Sequence, residues 1–97
     1  MRISNGTYIE LVYFNDEEVS NQKVEFQGNA REFRIEHQDN NNWDGFEKDE
    51  LFYLEEEQVR VFEKVESEDE KGNVDKIKYF IAPAEITPDR VKKDKLQ

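Results

Sequence analysis

The chain has 97 residues, a formal net charge of −10, 35% hydrophobic and 12% aromatic residues, and no cysteine. That length suits one domain with one small core. The missing cysteine excludes disulfides, thiolate chemistry and Cys-based zinc sites. The charge disfavours direct contact with nucleic acid or anionic membrane, both of which attract clustered Lys and Arg.

The low hydrophobic content is offset by aromatic and β-branched residues, which disordered chains lack. Leucine and alanine, both favoured in helices, are scarce, and this leans the chain toward strands.

In chain order, residues 7–14 (TYIELVYF) read as the first strand. Ile9, Leu11 and Tyr13 fall on one face, and Tyr8, Val12 and Phe14 on the other. A strand apolar on both faces belongs in the middle of a sheet. NDEE at 15–18 reads as a polar turn. Residues 19–27 (VSNQKVEFQ) read as a second strand, with Val24 and Phe26 alternating with Glu25. Gly28-Asn29 reads as a tight turn. Residues 30–37 (AREFRIEH) alternate, with Phe33, Ile35 and His37 on one side, so a hairpin of 23–27 with 30–36 is expected.

Residues 39–50 (DNNNWDGFEKDE) form a polar loop. The stretch 47–66 is ambiguous between helix and strand: Leu51, Leu54, Gln58, Val61, Phe62 and Val65 have roughly helical spacing, while Val59 and Val61 flank Arg60 as in a strand. The residues beyond it favour the strand reading. An acidic, turn-rich loop around Lys71-Gly72-Asn73 leads to the strand-like DKIKYFIA, which predicts a long hairpin of 58–66 with 75–82. Pro83 ends that strand, and Ile86 suits a short further one. Thr87-Pro88-Asp89 resembles a helix start. Residues 89–97 carry net charge +2, against −12 for the remainder.

The expected fold is mainly β, with a β-rich α+β arrangement as the alternative. Residues 1–88 form a small antiparallel sheet, roll or barrel, and residues 89–97 a short helix or basic tail.

Little in the chain suits catalysis. His37 is the sole histidine, the serines have no special context, and Gly28, Gly45 and Gly72 are isolated, so no phosphate-cradling loop exists. No catalytic residue, metal ligand or cofactor is expected. The loop at 39–50 has the ingredients of a calcium site without its register. With Gly45 at the sixth position of a calcium loop, Asn40 falls at the first and Leu51 at the twelfth, where a bidentate Glu is needed. A calcium-binding module is therefore a third reading only.

The acidic residues form two groups. Glu47, Asp49, Glu50, Glu55, Glu56 and Glu57 come after the polar loop, and Glu66, Glu68, Asp69 and Glu70 surround the expected hairpin tip. If the hairpin folds back, the two groups make one negative stripe. With Trp43 and Asp44 they are the expected partner-binding residues, and Phe46, Phe52 and Tyr53 are the nearby aromatics that would supply contact energy.

The function that fits is a non-catalytic, cytoplasmic, acidic binding protein that engages a basic protein, such as a nucleic-acid-binding protein. Its sharpest form is a nucleic-acid mimic that inhibits a host nuclease and is encoded by a phage or other mobile element. The alternative is a structural or assembly subunit that forms a homo-oligomer through an exposed strand edge. No signal peptide or membrane span is expected. The partner's identity, the strand order, the oligomeric state and the orientation of Trp43 are not legible in the residues.

Overall fold

A computed structural model describes residues 3–14, 22–37 and 45–85, with the side chains of Gln22 and His37 excepted. The described chain is mostly strand with one short helix. In order it runs β1 (Tyr8–Phe14), β2 (Gln22–Asn29), α1 (Ala30–His37), β3 (Leu51–Leu54), β4 (Glu57–Glu68) and β5 (Val74–Pro83). Among the described residues these make a five-stranded sheet in the order β2-β1-β5-β4-β3. β1 is flanked on both sides, as its two apolar faces predict. The expected hairpin of 58–66 with 75–82 is β4 with β5, and the ambiguous stretch resolves into β3 and β4.

Two expectations are corrected. Residues 30–37 form helix α1, not a strand, so there is no hairpin of 23–27 with 30–36; β2 pairs with β1 instead. Gly28-Asn29 is the end of β2 and the start of the helix, not a reversing turn. The cause is local. Asn29 Oδ1 accepts the Glu32 N–H at 2.8 Å, and Asn29 Nδ2 donates to Glu32 Oε1 at 3.0 Å, so two side chains cap the first turn. The Ala30 N–H donates to the Thr7 carbonyl at 2.7 Å and the Arg31 N–H to the Asn5 carbonyl at 3.3 Å, which satisfies two more helix-start donors. In a helix, Ala30 and Phe33 share the buried side, whereas Ile35 is 75% exposed.

The sheet is antiparallel except at its centre, where β1 and β5 run parallel. Ile9 lies beside Ile77, Leu11 beside Tyr79 and Tyr13 beside Ile81. Register shifts occur at Leu11/Val12 in β1–β2, and at Val61/Glu63 and Ser67/Glu68 in β4–β5. Each such bulge bends its strand and increases its twist, and the sheet curls into a half-barrel.

The larger core fills the inner face. It contains Ile9, Leu11, Val59, Val61, Ile77, Tyr79 and Ile81 from the sheet, Ala30 and Phe33 from α1, and Phe46, Phe52 and Leu54. Phe46 joins these pieces. Its ring stacks on Phe52 at 4.1 Å and meets Phe33 and Tyr79 edge-on at 5.8 and 5.2 Å. On the opposite face Val12, Phe14, Phe62, Phe80 and Ala82 form a second buried cluster. There the one largely buried carboxylate among the described residues, Glu10, is held by Lys78 at 3.3 Å and by Gln27 at 3.0 Å.

Tyr79 and Gly45 make a tight joint. The Phe46 N–H donates to the Tyr79 hydroxyl at 3.1 Å. Gly45 has φ +99, and a Cβ there would meet Ile3 Cδ1 at 2.6 Å and the Tyr79 hydroxyl at 2.9 Å. Gly45→Ala should therefore lose about 1–3 kcal/mol of stability, measured by urea unfolding; an unchanged midpoint would show that the joint gives.

Burial pushes the Tyr79 hydroxyl up to about 12, against the Phe46 N–H, which favours the anion. A folded-state value above the unfolded one means that Tyr79 contributes its stability in full below pH 10. That contribution is lost as pH rises from 10 to about 12. Wild type should lose stability across this window more steeply than Tyr79→Phe, by an amount on the order of 2 kcal/mol. Equal slopes would show that the ionisation is not linked to unfolding.

Candidate functional site

The curl brings the ends of distant strands together. Tyr13 near the end of β1, Lys23 and Glu25 in β2, and Leu54, Glu55, Glu56 and Glu57 at the β3–β4 turn line one crevice of about 490 Å³. β2 and β3 are the outer strands of the sheet order, so this crevice is where the two margins of the half-barrel approach each other. Four of its lining residues are glutamates. Lys23 is the single basic one among the described residues, and it is already engaged with Glu25 at 3.4 Å.

Tyr13 reports the potential inside. Partial burial, a hydrogen bond donated to Glu57 and the fields of Glu57, Glu25 and Glu85 push its hydroxyl up to about 12. All of these causes act in one direction, as expected for a group surrounded by anions in a concave surface. A neutral tyrosine hydroxyl among carboxylates is a hydrogen-bond donor, not a base. A concave surface lined by carboxylates attracts cations.

The remaining expected site residues run along the β3–β4 side of the sheet. Leu51 to Leu54 pair with Arg60 to Glu57, and just before them the Asp49 N–H donates to the Val61 carbonyl at 2.7 Å, while the Val61 N–H donates to the Glu50 carbonyl at 3.0 Å. Asp49 and Glu50 thus lie beside the middle of β4. Glu47 pairs with Lys64 at 3.4 Å, one stage further along. Glu66 and Glu68 end the strand. Trp43 and Asp44 lie outside the described residues, as do the 15–18 turn, Asn40 of the calcium register, Ile86 and the 89–97 segment.

The two acidic groups adjoin along β4. Glu57 and Glu68 are the ends of that strand, roughly 36 Å apart at strand rise, and Glu50, Asp49 and Glu47 lie between them, with Glu47 beside Lys64 and so next to Glu66 in the strand. One reading of these residues changes, because not all the aromatics face outward. Phe46 and Phe52 are buried in the core, and Tyr53 is 62% exposed.

Some carboxylates also hold the fold. Asp69 Oδ1 accepts the N–H groups of Lys71 at 2.8 Å and Asn73 at 2.9 Å, organising the β4–β5 turn in which Gly72 has φ +82. Glu50 Oε1 accepts the Glu47 N–H at 3.0 Å. Tyr13, Lys23 and Glu25 are not singled out by the sequence, because nothing local says that β1 and β2 meet the β3–β4 turn.

Among the described residues no group of three or more His, Cys, Asp or Glu is arranged to hold a metal ion, and no helix is long and apolar enough to cross a membrane. Comparison with protein-family models, with curated proteins and with solved structures finds no match.

The crevice carries one backbone anomaly. Glu55 is the first residue of a two-residue turn between the paired Leu54 and Glu57, and it has φ +58. An L-residue with a Cβ disfavours that region by roughly 1–2 kcal/mol. Glu55→Gly should therefore exceed Glu55→Ala in stability by about 1 kcal/mol, measured by thermal and urea unfolding. Both variants remove the charge, so their difference isolates the backbone. Equal stability would mean that the turn relaxes without strain.

Proposed function

We propose that this chain is a non-catalytic, cytoplasmic binding protein that engages a basic protein surface through its acidic crevice and the carboxylates along β3 and β4. In its sharpest form it imitates nucleic acid and inhibits a nuclease or another nucleic-acid-binding protein, as a small inhibitor encoded by a phage or other mobile element would. The observation that carries this reading is the crevice, where Glu25, Glu55, Glu56 and Glu57 converge around Tyr13 with little compensating charge.

The physics is that of a concave anionic site. Low-dielectric walls focus the field, raise the local concentration of cationic groups and speed encounter with a basic surface. Arginine and lysine side chains that normally grip phosphates would find carboxylates instead, at spacings set by the strand rise. The chain's net charge of −10 extends the same field over the molecule. Tyr13 in the crevice lining and the exposed Tyr53 beside it offer amphipathic contact area of the kind that dominates interfaces.

A second reading, assembly into a homo-oligomer, is favoured by one observation. Leu51 and Tyr53 are 42% and 62% exposed on an outer strand of the sheet. Sedimentation at two concentrations separates the readings, because a self-assembling subunit grows heavier without any partner.

The direct test is affinity capture from a bacterial lysate at low and at high salt, with excess duplex DNA as competitor. Wild type is compared with the charge-reversed variant Glu55→Lys/Glu56→Lys/Glu57→Lys. A nucleic-acid-binding protein should be retained at low salt by wild type, released by salt and by DNA, and lost with the variant. Equal retention by the variant, or indifference to DNA, would overturn the mimic.

A further inference from the structure

We infer that the outer edge of β3 is a docking site for an extended, basic strand supplied by the partner, which adds to the sheet as a sixth strand. This rests on the basic-partner reading above and names how that partner binds.

Among the described residues, the hydrogen-bond pattern leaves the edge open. Val61 uses both its N–H and its C=O toward Asp49 and Glu50, whereas the Gln58 carbonyl bonds Ala84 on the β5 side. By alternation along β4, Val59 and Glu57 face β3, and they bond their register partners Phe52 and Leu54. The N–H and C=O groups of Leu51 and Tyr53 therefore point away from β4. Among the described residues no strand pairs with that side. Their side chains stand on the exposed face of β3, while Phe52 and Leu54 anchor the strand in the core. An edge of this kind, with exposed apolar side chains and free main-chain groups, recruits a strand.

Charge decides which strand. Two-fold antiparallel pairing with a second copy has three registers that use the outward groups of Leu51 and Tyr53. They bring Asp49 opposite Glu55, Glu50 opposite Glu56, or Glu47 opposite Glu55. Every one sets carboxylates against carboxylates, which destabilises a cross-strand pair. Lys48 is the one cation in the flanks. A strand with Lys or Arg on either side of two or three apolar residues meets the same carboxylates as counter-charges. The β3–β4 turn is shared with the crevice, so a basic side chain at that end of the docked strand enters between Glu55 and Glu57.

The test uses the full-length chain and two capped synthetic peptides, Lys-Lys-Thr-Val-Thr-Val-Lys-Lys and its counterpart with Glu at the four Lys positions. Binding is tracked by amide NMR shifts. The basic peptide should shift the Leu51 and Tyr53 amides in a salt-dependent manner, and the acidic one should not bind. Tyr53→Pro removes an outward N–H without touching a β3–β4 bond, a change that edge strands tolerate. It should weaken the basic peptide about tenfold, the scale of one or two lost main-chain hydrogen bonds. Glu55→Lys/Glu56→Lys, which keeps the edge, should invert the preference between the peptides; this variant also guards against misfolding of the proline variant.

Equal binding by wild type and Tyr53→Pro, or shifts confined to other strands, would overturn strand docking. If the protein captured from lysate is lost on charge reversal but retained by Tyr53→Pro, the basic-partner reading stands and strand docking fails. A dimer of the free chain that Tyr53→Pro dissolves would overturn the basic occupant in favour of a second copy.

Discussion

The parallel seam between β1 and β5 is the contact on which the rest depends. Each strand belongs first to a neighbour close in sequence, β1 to β2 and β5 to β4. The seam joins these two units through Ile9 with Ile77, Leu11 with Tyr79 and Tyr13 with Ile81. Its energy comes from burial of large side chains on the inner face, each worth about 1.5–3 kcal/mol when fully buried, and from Val12 packed beside Phe80 on the other. A long-range parallel pairing must overcome the entropy of closing a loop of about 68 residues, from Ile9 to Ile77, which is why the strands that make it are apolar on both sides. Thr7 reinforces the joint, its hydroxyl donating to the Val74 carbonyl at 3.0 Å in a buried setting.

From the seam outward, curl determines chemistry. Bulges in the β1–β2 and β4–β5 pairs bend the sheet, and a bent sheet brings its outer strands toward each other at one end. That end receives Tyr13 from the seam, Glu25 from one margin and the β3–β4 turn from the other. The acidity of the crevice is thus a property of topology as much as of composition. Residues that look scattered in the chain become neighbours because the curl brings them to line one crevice. The same curl leaves β3 as an outer strand with one face in the core, so anchoring and exposure coexist on four residues.

How much of this is legible in the residues depends on the range of the signal. The central place of β1 is legible because Tyr8 to Phe14 are apolar at both parities. The β4–β5 hairpin is legible because Val59 and Val61 alternate and the turn has Asp69, Gly72 and Asn73. Helix α1 is not: Phe33, Ile35 and His37 alternate like a strand, and the capping pair Asn29 and Glu32 is the signal that outweighs them. Three residues alternating over eight positions decide nothing about period, whereas a cap supplies hydrogen bonds that a strand cannot use. The carboxylates at 47–57 and 66–70 are visible as charge, but not their arrangement in one row, since that depends on residues 47–50 lying alongside β4. The crevice itself, with Tyr13 and Glu25, is not legible, because contacts between sheet margins leave no local pattern.

The carboxylates divide into those the fold uses and those it does not. Glu10, Glu32, Glu50 and Asp69 each hold a side chain or a turn in place. Glu55 and Glu56 make no hydrogen bond or ion pair among the described residues, and Glu55 sits in a conformation suited to glycine. Stability alone would favour Gly or Asn at such a turn and would avoid adjacent like charges. Here both preferences are broken at one place, on the lip of a crevice and at the end of an open strand edge. Departures from local rules that coincide at an accessible, concave site are the pattern left when binding rather than folding sets the residue. The strained turn, the uncompensated field and the edge left unpaired among the described residues are then three aspects of one surface, the one we propose receives a basic, extended partner.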